Sequence, residues 1–361
     1  MKLKTALIGA VSAVAFAGTA MAADTITVVS WGGAYTKSQV EAYHKPWIAK
    51  TGNQIVSEDY NGGLAEIKAQ VEAGNVKWDI VDVELSDAVR ACDEGLAEEI
   101  DMSILPAAPD GTPAADDFIA GTLDVPCAVP TIVWSTIFAY DTSKMANGPT
   151  SIADFFDLAK FPGKRGIRKS PKANLEMALM ADGVAAADVY DVLGTPEGVD
   201  RAFAKLDSIK AEVVWWEAGA QPPQLLADGE VAMTTAYNGR IFNAVAAEDR
   251  PFGIVWDGQV WDLDLWIIPK GAPNKQAALD FMAFSTDTQR LADQASWISY
   301  GPTRQSSSPL VASYNGKPDL KMGPQMPTAP ENFKNALQND FEFWADHQDE
   351  LNERFNAWLA Q

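Results

Sequence analysis

The sequence reads as an α/β protein divided into two lobes. Runs of β-branched residues alternate with stretches of helical period from end to end, which implies helices layered on mostly parallel sheets. The chain has 361 residues, and about 339 remain after an N-terminal export signal, more than a single core comfortably serves. An apolar fraction of 47% with 12 Trp can fill two cores and argues against disorder.

The export signal comes first. Lys2 and Lys4 precede an apolar run from Ala6 to Ala17, and "AMA" at 20–22 gives a small-x-small cleavage site. Residues 1–22 therefore read as a signal peptide, its apolar run too short to span a bilayer. "TITVVS" (25–30) is a strand that runs into "WGGAY", a glycine turn flanked by aromatics. Val40, Tyr43, Trp47 and Ile48 then recur at helical spacing, with Pro46 bending or shortening that helix. "QIVSEDY" (54–60) is the next strand, Leu64 to Ala73 a helix ended by Gly74, and "WDIVDVE" (78–84) a third strand followed by a helix through Cys92. "AVPTIVWSTIFAYD" (128–141) exceeds the usual strand length of about 5–6 residues and suits a connection between lobes.

A second series follows. "FPGKRGIRKS" leads into a helix at Asn174–Ala181, and Val199–Lys210 is another helix. "AEVVWWE" is a strand, "PQLLADGE" a short helix and turn, and "VAMTTAYNGR" a strand entering a helix at Ile241–Glu248. "WDLDLWIIPKG" is again a strand, followed by a helix at Lys275–Ser285 and the loop "SYGPTRQSSSP". Segment 302–330 reads as a surface crossing. In the terminal amphipathic helix Leu337, Phe341, Trp344, Leu351, Phe355 and Trp358 share one face.

Charge and composition narrow the function. Loss of Lys2 and Lys4 takes the net charge from −21 to −23, which disfavours nucleic acid and anionic lipid as partners and suits a cationic ligand. Cys92 and Cys127 are an even pair in an oxidising compartment, which invites a disulfide contributing roughly 3–4 kcal/mol. Two buried free thiols are the alternative. Two Cys and two His without ligand spacing give no metal site, and no cofactor motif is present. His44 and His347 have no nucleophile beside them and read as packing or surface residues. No catalytic residue is assigned. Asp262 and Asp264, on one face of a strand, could in principle serve a secreted carboxylate-dependent hydrolase, although acid–base pairs usually come from separate strands.

Aromatic and acidic residues coincide at the strand ends: Trp31 and Tyr35; Glu84 and Ser86; Trp216 and Glu217; Tyr237 and Arg240; Trp261, Asp262 and Asp264. Tyr300, in the loop after the last α/β unit, joins them as a candidate. Ligands of open α/β sheets bind outside the carboxyl ends of strands. Aromatic faces attract cations by about 0.5–2 kcal/mol, and carboxylates hydrogen-bond the ammonium. Trp47, Trp78, Trp344 and Trp358 are assigned to the core.

The stretches "VVSWGGAY", "WDIVDVELSDAVRACDEGLAEEID", "VPTIVWSTIFAYDTSK", "LLADGEVAMTTAYNGR" and "WDLDLWIIPKGAPNKQAALDFMAF" occur in an order that resembles the periplasmic substrate-binding proteins of ABC importers, the class that includes putrescine- and spermidine-binding proteins. The resemblance covers nearly the whole mature chain. It implies a type II fold with two α/β lobes, here 23–130 plus 260–310 and 131–259 plus 311–361. Two crossing segments near 128–135 and 256–262 would hinge them around ligand in the interlobe cleft. It further implies a monomer in the periplasm that delivers a small amine-bearing solute to an inner-membrane permease. A ligand-sensing partner of a chemoreceptor would use the same lobes.

The residues transfer unevenly. Trp31 matches the family's aromatic after the first strand, Tyr237 stands where polyamine binders carry a tryptophan, and Asp264 falls on the aspartate that meets an ammonium. "RKSPKANLE" offers Ser170 and Ala173 where the family has acids. Arg240 stands where putrescine binders carry an aspartate. Two cations at 4 Å repel by roughly 4 kcal/mol at an effective dielectric of about 20, so an arginine there opposes a diamine. Arg240 with Asp264 suits a zwitterion such as GABA. If Arg240 instead pairs with Glu217, Asp262 or Glu84, the pocket is left to a polyamine. An aromatic cage for a quaternary amine is a third possibility.

Overall fold

The computed structural model describes residues 23–361. The signal peptide expected over 1–22 lies outside the described residues. Eight strands form the ordered path of the main sheet: β1 (Thr25–Ser30), β2 (Gln54–Asp59), β3 (Ile80–Glu84), β4 (Ala128–Asp141), β5 (Arg165–Arg168), β6 (Val213–Trp216), β7 (Met233–Tyr237) and β8 (Phe252–Ile267). Their spatial order is β2-β1-β3-β8-β4-β7-β5-β6.

The two ends of this sheet are parallel and its middle is antiparallel. β1 pairs in parallel with β2 and β3, and β5 with β6 and β7. β8 runs antiparallel to both β3 and β4, and β4 antiparallel to β7. The expectation of mostly parallel pairing thus holds only within each wing. The expected crossings lie within β4 and β8, which pass from one wing to the other and are long because they serve both. Their ladder slips between Thr136 and Phe138, where Thr136 faces Val260 but Phe138 faces Val255. Such an irregularity bends a strand pair. There a short strand, Ala336–Gln338, joins β8 at Gln259–Trp261.

Each wing has its own core. On the β1–β3 side Val28, Trp47, Trp266 and Phe281 pack together, all at most 1% exposed. A fully buried Trp removes about 150–250 Å² from water, worth about 4–6 kcal/mol at 25 cal/mol/Å². His44 belongs to this core: its ring lies 5.7 Å from Phe281, and burial lowers its pKa to about 4. Pro46 is the second residue of the helix Lys45–Thr51, which continues without a gap from Gly33–Gln39 through a π-type turn at Val40–His44, so the first helical stretch is rewound, not ended, beside the proline that removes a donor. On the other side Phe138, Phe155, Leu175, Phe203, Trp344 and Phe355 form the second core.

The terminal helix Phe341–Leu359 touches both wings. Trp344, Phe355 and Trp358 enter the second core, while Gln348 donates to Asp87 at 3.1 Å and Arg90 pairs with Asp349 at 3.0 Å. Leu337, expected on this helix, lies in the short strand that precedes it. Cys92 and Cys127 are bonded, their Cα atoms 5.8 Å apart, which ties the helix Leu85–Asp93 to the start of β4.

Candidate functional site

β1 ends at Ser30, and Gly32 and Gly33 turn the chain into the helix Gly33–Gln39 with φ of 70° and 58°. A Cβ on Gly32 would sit 2.9 Å from Asp59 Oδ2, and one on Gly33 would sit 2.8 Å from Arg240 Nη1. Positive φ and close approach together require glycine here. Thr36 Oγ1 accepts from the Gly32 N–H at 2.9 Å. The Gly32 carbonyl also accepts from the Thr36 N–H at 3.4 Å.

Arg240 meets the carbonyls of Trp31 and Gly32. It lies in the first turn of the helix Asn238–Glu248, immediately after β7. Its Nη2 donates to Trp31 O at 2.9 Å and its Nη1 to Gly32 O at 2.5 Å. Its Nε is buried and has no partner. Glu217, Asp262 and Glu84 are not among its partners, and it enters no ion pair among the described residues.

Beside Arg240 lies a narrow cavity lined by Trp31, Tyr35, Glu84, Trp134, Tyr237, Arg240, Asp264 and Tyr300. Its aromatic walls are held edge to face: Tyr35 on Tyr300 at 5.4 Å, and Trp134 on Tyr237 at 5.0 Å. Several buried donors at this wall have no partner, namely Trp31 Nε1, Tyr35 Oη and Trp134 Nε1. Unpartnered buried donors cost about 1–3 kcal/mol each, so a polar occupant would relieve them.

The acids come from two adjacent strands. Register sets Glu84 of β3 directly opposite Asp264 of β8, with Asp82 and Asp262 diagonal to them on the same face. Burial drives the Asp264 carboxyl well above its ordinary pKa, and Asp82, Glu84 and Asp262 push it further. No ion pair among the described residues includes Asp264. Burial likewise raises Asp82 to about 7, although Gln39 donates to it at 2.6 Å. Glu84 behaves oppositely. Burial alone would raise it, but Lys172 at 2.7 Å and Arg168 at 3.3 Å hold it at about 2.

A family model described as bacterial extracellular solute-binding protein matches residues 42–328. The chain belongs to that family. It is 47% identical over 348 residues to the gamma-aminobutyric acid-binding protein of Pseudomonas aeruginosa, covering 96% of this chain and 94% of that one. Among solved structures, the periplasmic binding protein MotA of A. tumefaciens B6 in complex with glucopine is similar at TM-score 0.83 and 30% identity, over 93% of this chain and 99% of that one. A solved GABA receptor is similar at TM-score 0.78 and 32% identity, over 94% and 98%. The fold of this solute-binding protein is thus the two-lobe type II arrangement, with β4 and β8 as its crossings.

Of the residues singled out in the sequence, Trp31, Tyr35, Glu84, Tyr237, Arg240, Asp264 and Tyr300 meet at this cavity. The others stand apart from its wall. Trp216 is 1% exposed and packs behind Tyr237 at 5.6 Å, supporting that ring without reaching the cavity. The Ser86 hydroxyl accepts from Lys172 at 2.6 Å. Glu217 is exposed, pairs with Lys169 at 3.1 Å and borders a wider outer pocket with Trp31, Gly62 and Gln348. Trp261 packs on Phe333 at 5.7 Å. Asp262 lies in a separate recess with Thr136, Lys172 and Asn339, where burial raises it to about 8.

Trp134, Arg168 and Lys172 also serve the site and are not among the candidates above. Period-two alternation along "PTIVWSTIF" puts Trp134 on one face with Thr136, a signal that could have found it. Nothing local marks the two bases, because their partner Glu84 lies 84 and 88 residues away.

Proposed function

We propose that this solute-binding protein captures a small zwitterion whose amine and carboxylate are separated by a short carbon chain, GABA or a close ω-amino acid. One observation carries the reading: the cavity holds an acid without a cation, Asp264, and a cation without an anion, Arg240. The ligand ammonium would meet Asp264, its carboxylate would accept from Arg240 Nε, and Trp31, Tyr237 and Trp134 would flank its methylenes. The names of the similar GABA-binding protein and GABA receptor support this choice. A polyamine needs a second free acid, and Glu84 is already held by two bases.

The lobes of this reading are 23–130 with 260–310 and 131–259 with 311–361, closing about β4 and β8. Arg240 acts in closure as well as binding, since it spans from β7's helix to the turn after β1. The protein would act as a monomer in the periplasm, loading an ABC permease without chemistry on the solute. A hydrolase built on Asp262 and Asp264 is disfavoured, because the two carboxyls face different recesses.

A thermal-shift panel of ω-amino acids, polyamines and quaternary amines tests this. Ligand at 100 times its dissociation constant adds about 2.7 kcal/mol of stability. GABA should raise Tm by several degrees, and betaine and putrescine should act far more weakly. Stabilisation by putrescine exceeding that by GABA would overturn the reading.

A further inference from the structure

Glu84 is the cavity acid whose charge is already taken up. Lys172 Nζ lies 2.7 Å from its Oε2 and Arg168 Nη1 lies 3.3 Å from its Oε1. Both bases are fixed by packing from the other wing. The Lys172 side chain is 8% exposed, donates also to Ser86 Oγ at 2.6 Å, and has its ammonium 5.8 Å from the Trp344 ring. The Arg168 guanidinium lies 5.7 Å from the Tyr237 ring, behind the cavity wall. Neither base lines the cavity itself.

Glu84 and Asp264 are direct register partners across β3 and β8, and both line that cavity. Opposed side chains on antiparallel strands have Cβ atoms about 4.5–5.5 Å apart. A linear diamine with one ammonium on Asp264 would therefore have Glu84 within reach for the other. In this chain that carboxylate already has two cations, and a third would meet their repulsion.

We propose that Lys172 and Arg168 are specificity determinants that act through Glu84, occupying the carboxylate a diamine would need and so turning the site toward ω-amino acids. The inference rests on the zwitterion reading above and adds to it the group that does the excluding. Arg240 supplies the attraction for the ligand carboxylate; Lys172 and Arg168 remove the alternative attraction for a second amine. Selectivity of this kind needs a repulsive element as well as an attractive one.

Isothermal titration of GABA and 1,4-diaminobutane, which share a four-carbon chain, tests it on the mature protein. Wild type should prefer GABA by about 100-fold or more, equivalent to two factors of ten in Kd. Lys172→Met should reduce that preference by about tenfold, and adding Arg168→Met should reduce it further. Glu84→Gln combined with Lys172→Met should restore the wild-type preference, because the freed carboxylate is gone. If Lys172→Met does not fold by circular dichroism, Lys172→Gln keeps a donor toward Glu84 and carries the same expectation. An unchanged preference in a folded Lys172 variant overturns the proposal, as does a reduced preference that persists when Glu84 is also replaced. Failure of wild type to bind GABA overturns the zwitterion reading instead, so the two failures are distinguishable.

Discussion

Replacing Arg240 by alanine removes two kinds of contact at once. The first is the bond from Nε to the ligand carboxylate, a charged hydrogen bond worth about 1.5–3 kcal/mol. The second is the grip of Nη1 and Nη2 on the Gly32 and Trp31 carbonyls, which joins the two wings across the cleft. Each of those bonds contributes about 0.5–1.5 kcal/mol net. Both terms favour the closed, liganded form, so together they predict a loss of about 2.5–6 kcal/mol, or two to four orders of magnitude in Kd. Arg240→Lys separates them in part, because a point-like ammonium keeps the charge but cannot serve two carbonyls and a carboxylate together. Calorimetric titration of GABA measures the affinities, and small-angle scattering measures ligand-induced contraction. Arg240→Ala should bind weakly and contract less at matched saturation, with Arg240→Lys between it and wild type. Binding of GABA by Arg240→Ala within threefold of wild type would rule out Arg240 as the ligand's carboxylate partner.

Three further outcomes follow from the site and its acids. Asp264→Asn should weaken GABA by at least about 100-fold in the same titration, yet leave Tm of the ligand-free protein unchanged or higher, since a buried acid without a cation is lost. The pH dependence of stability should have two arms. Burial raises Asp82, Asp262 and Glu176, whose carboxyl accepts from the Trp344 indole at 2.7 Å, to about 7, 8 and 7, so the folded protein holds protons that the unfolded chain releases, and stability falls as pH rises from about 4 toward 8. Glu84, held at about 2, contributes stability above about pH 4.5 that is lost as pH falls toward 2. The ligand-free Tm measured from pH 3 to 9 should therefore peak in mildly acid buffer, and the Tm gain from saturating GABA should grow as pH rises, because burial raises the Asp264 carboxyl and a proton competes there with the ligand ammonium. A flat profile would contradict both arms. Cys92→Ser with Cys127→Ser opens a loop with 35 residues of separation, so denaturant unfolding should show a loss of about 4 kcal/mol with GABA affinity unchanged.

What could be read from the sequence was what local chemistry decides. "SWGGAY" showed a glycine turn walled by aromatics because positive φ and close approach leave few residues able to stand there. The strands and most helices followed from period, and Asp264 from its place on an alternating strand. Strand direction was not legible: that β4 and β8 run antiparallel through the middle depends on which strands meet, and no window of sequence contains that. The helix Thr288–Ala295 is hard to separate in the sequence although Asp287 caps it, accepting from Gln289 N at 2.9 Å, because it follows Ser285 with only a two-residue break. Arg240 looked equally ready to pair with an acid. Its carbonyl partners at Trp31 and Gly32 lie 209 and 208 residues away, a proximity that no window of sequence contains. The same holds for Lys172 and Arg168, whose hold on Glu84 turns a candidate ammonium contact into a saturated one.

The decisive measurement is a crystal structure of the mature protein with GABA. One ligand molecule should lie in the cavity between Trp31, Trp134 and Tyr237, its carboxylate within hydrogen-bond distance of Arg240 Nε and its ammonium on Asp264. A ligand seated instead in the outer pocket beside Glu217, or with its ammonium on Glu84 in place of Lys172, would contradict it.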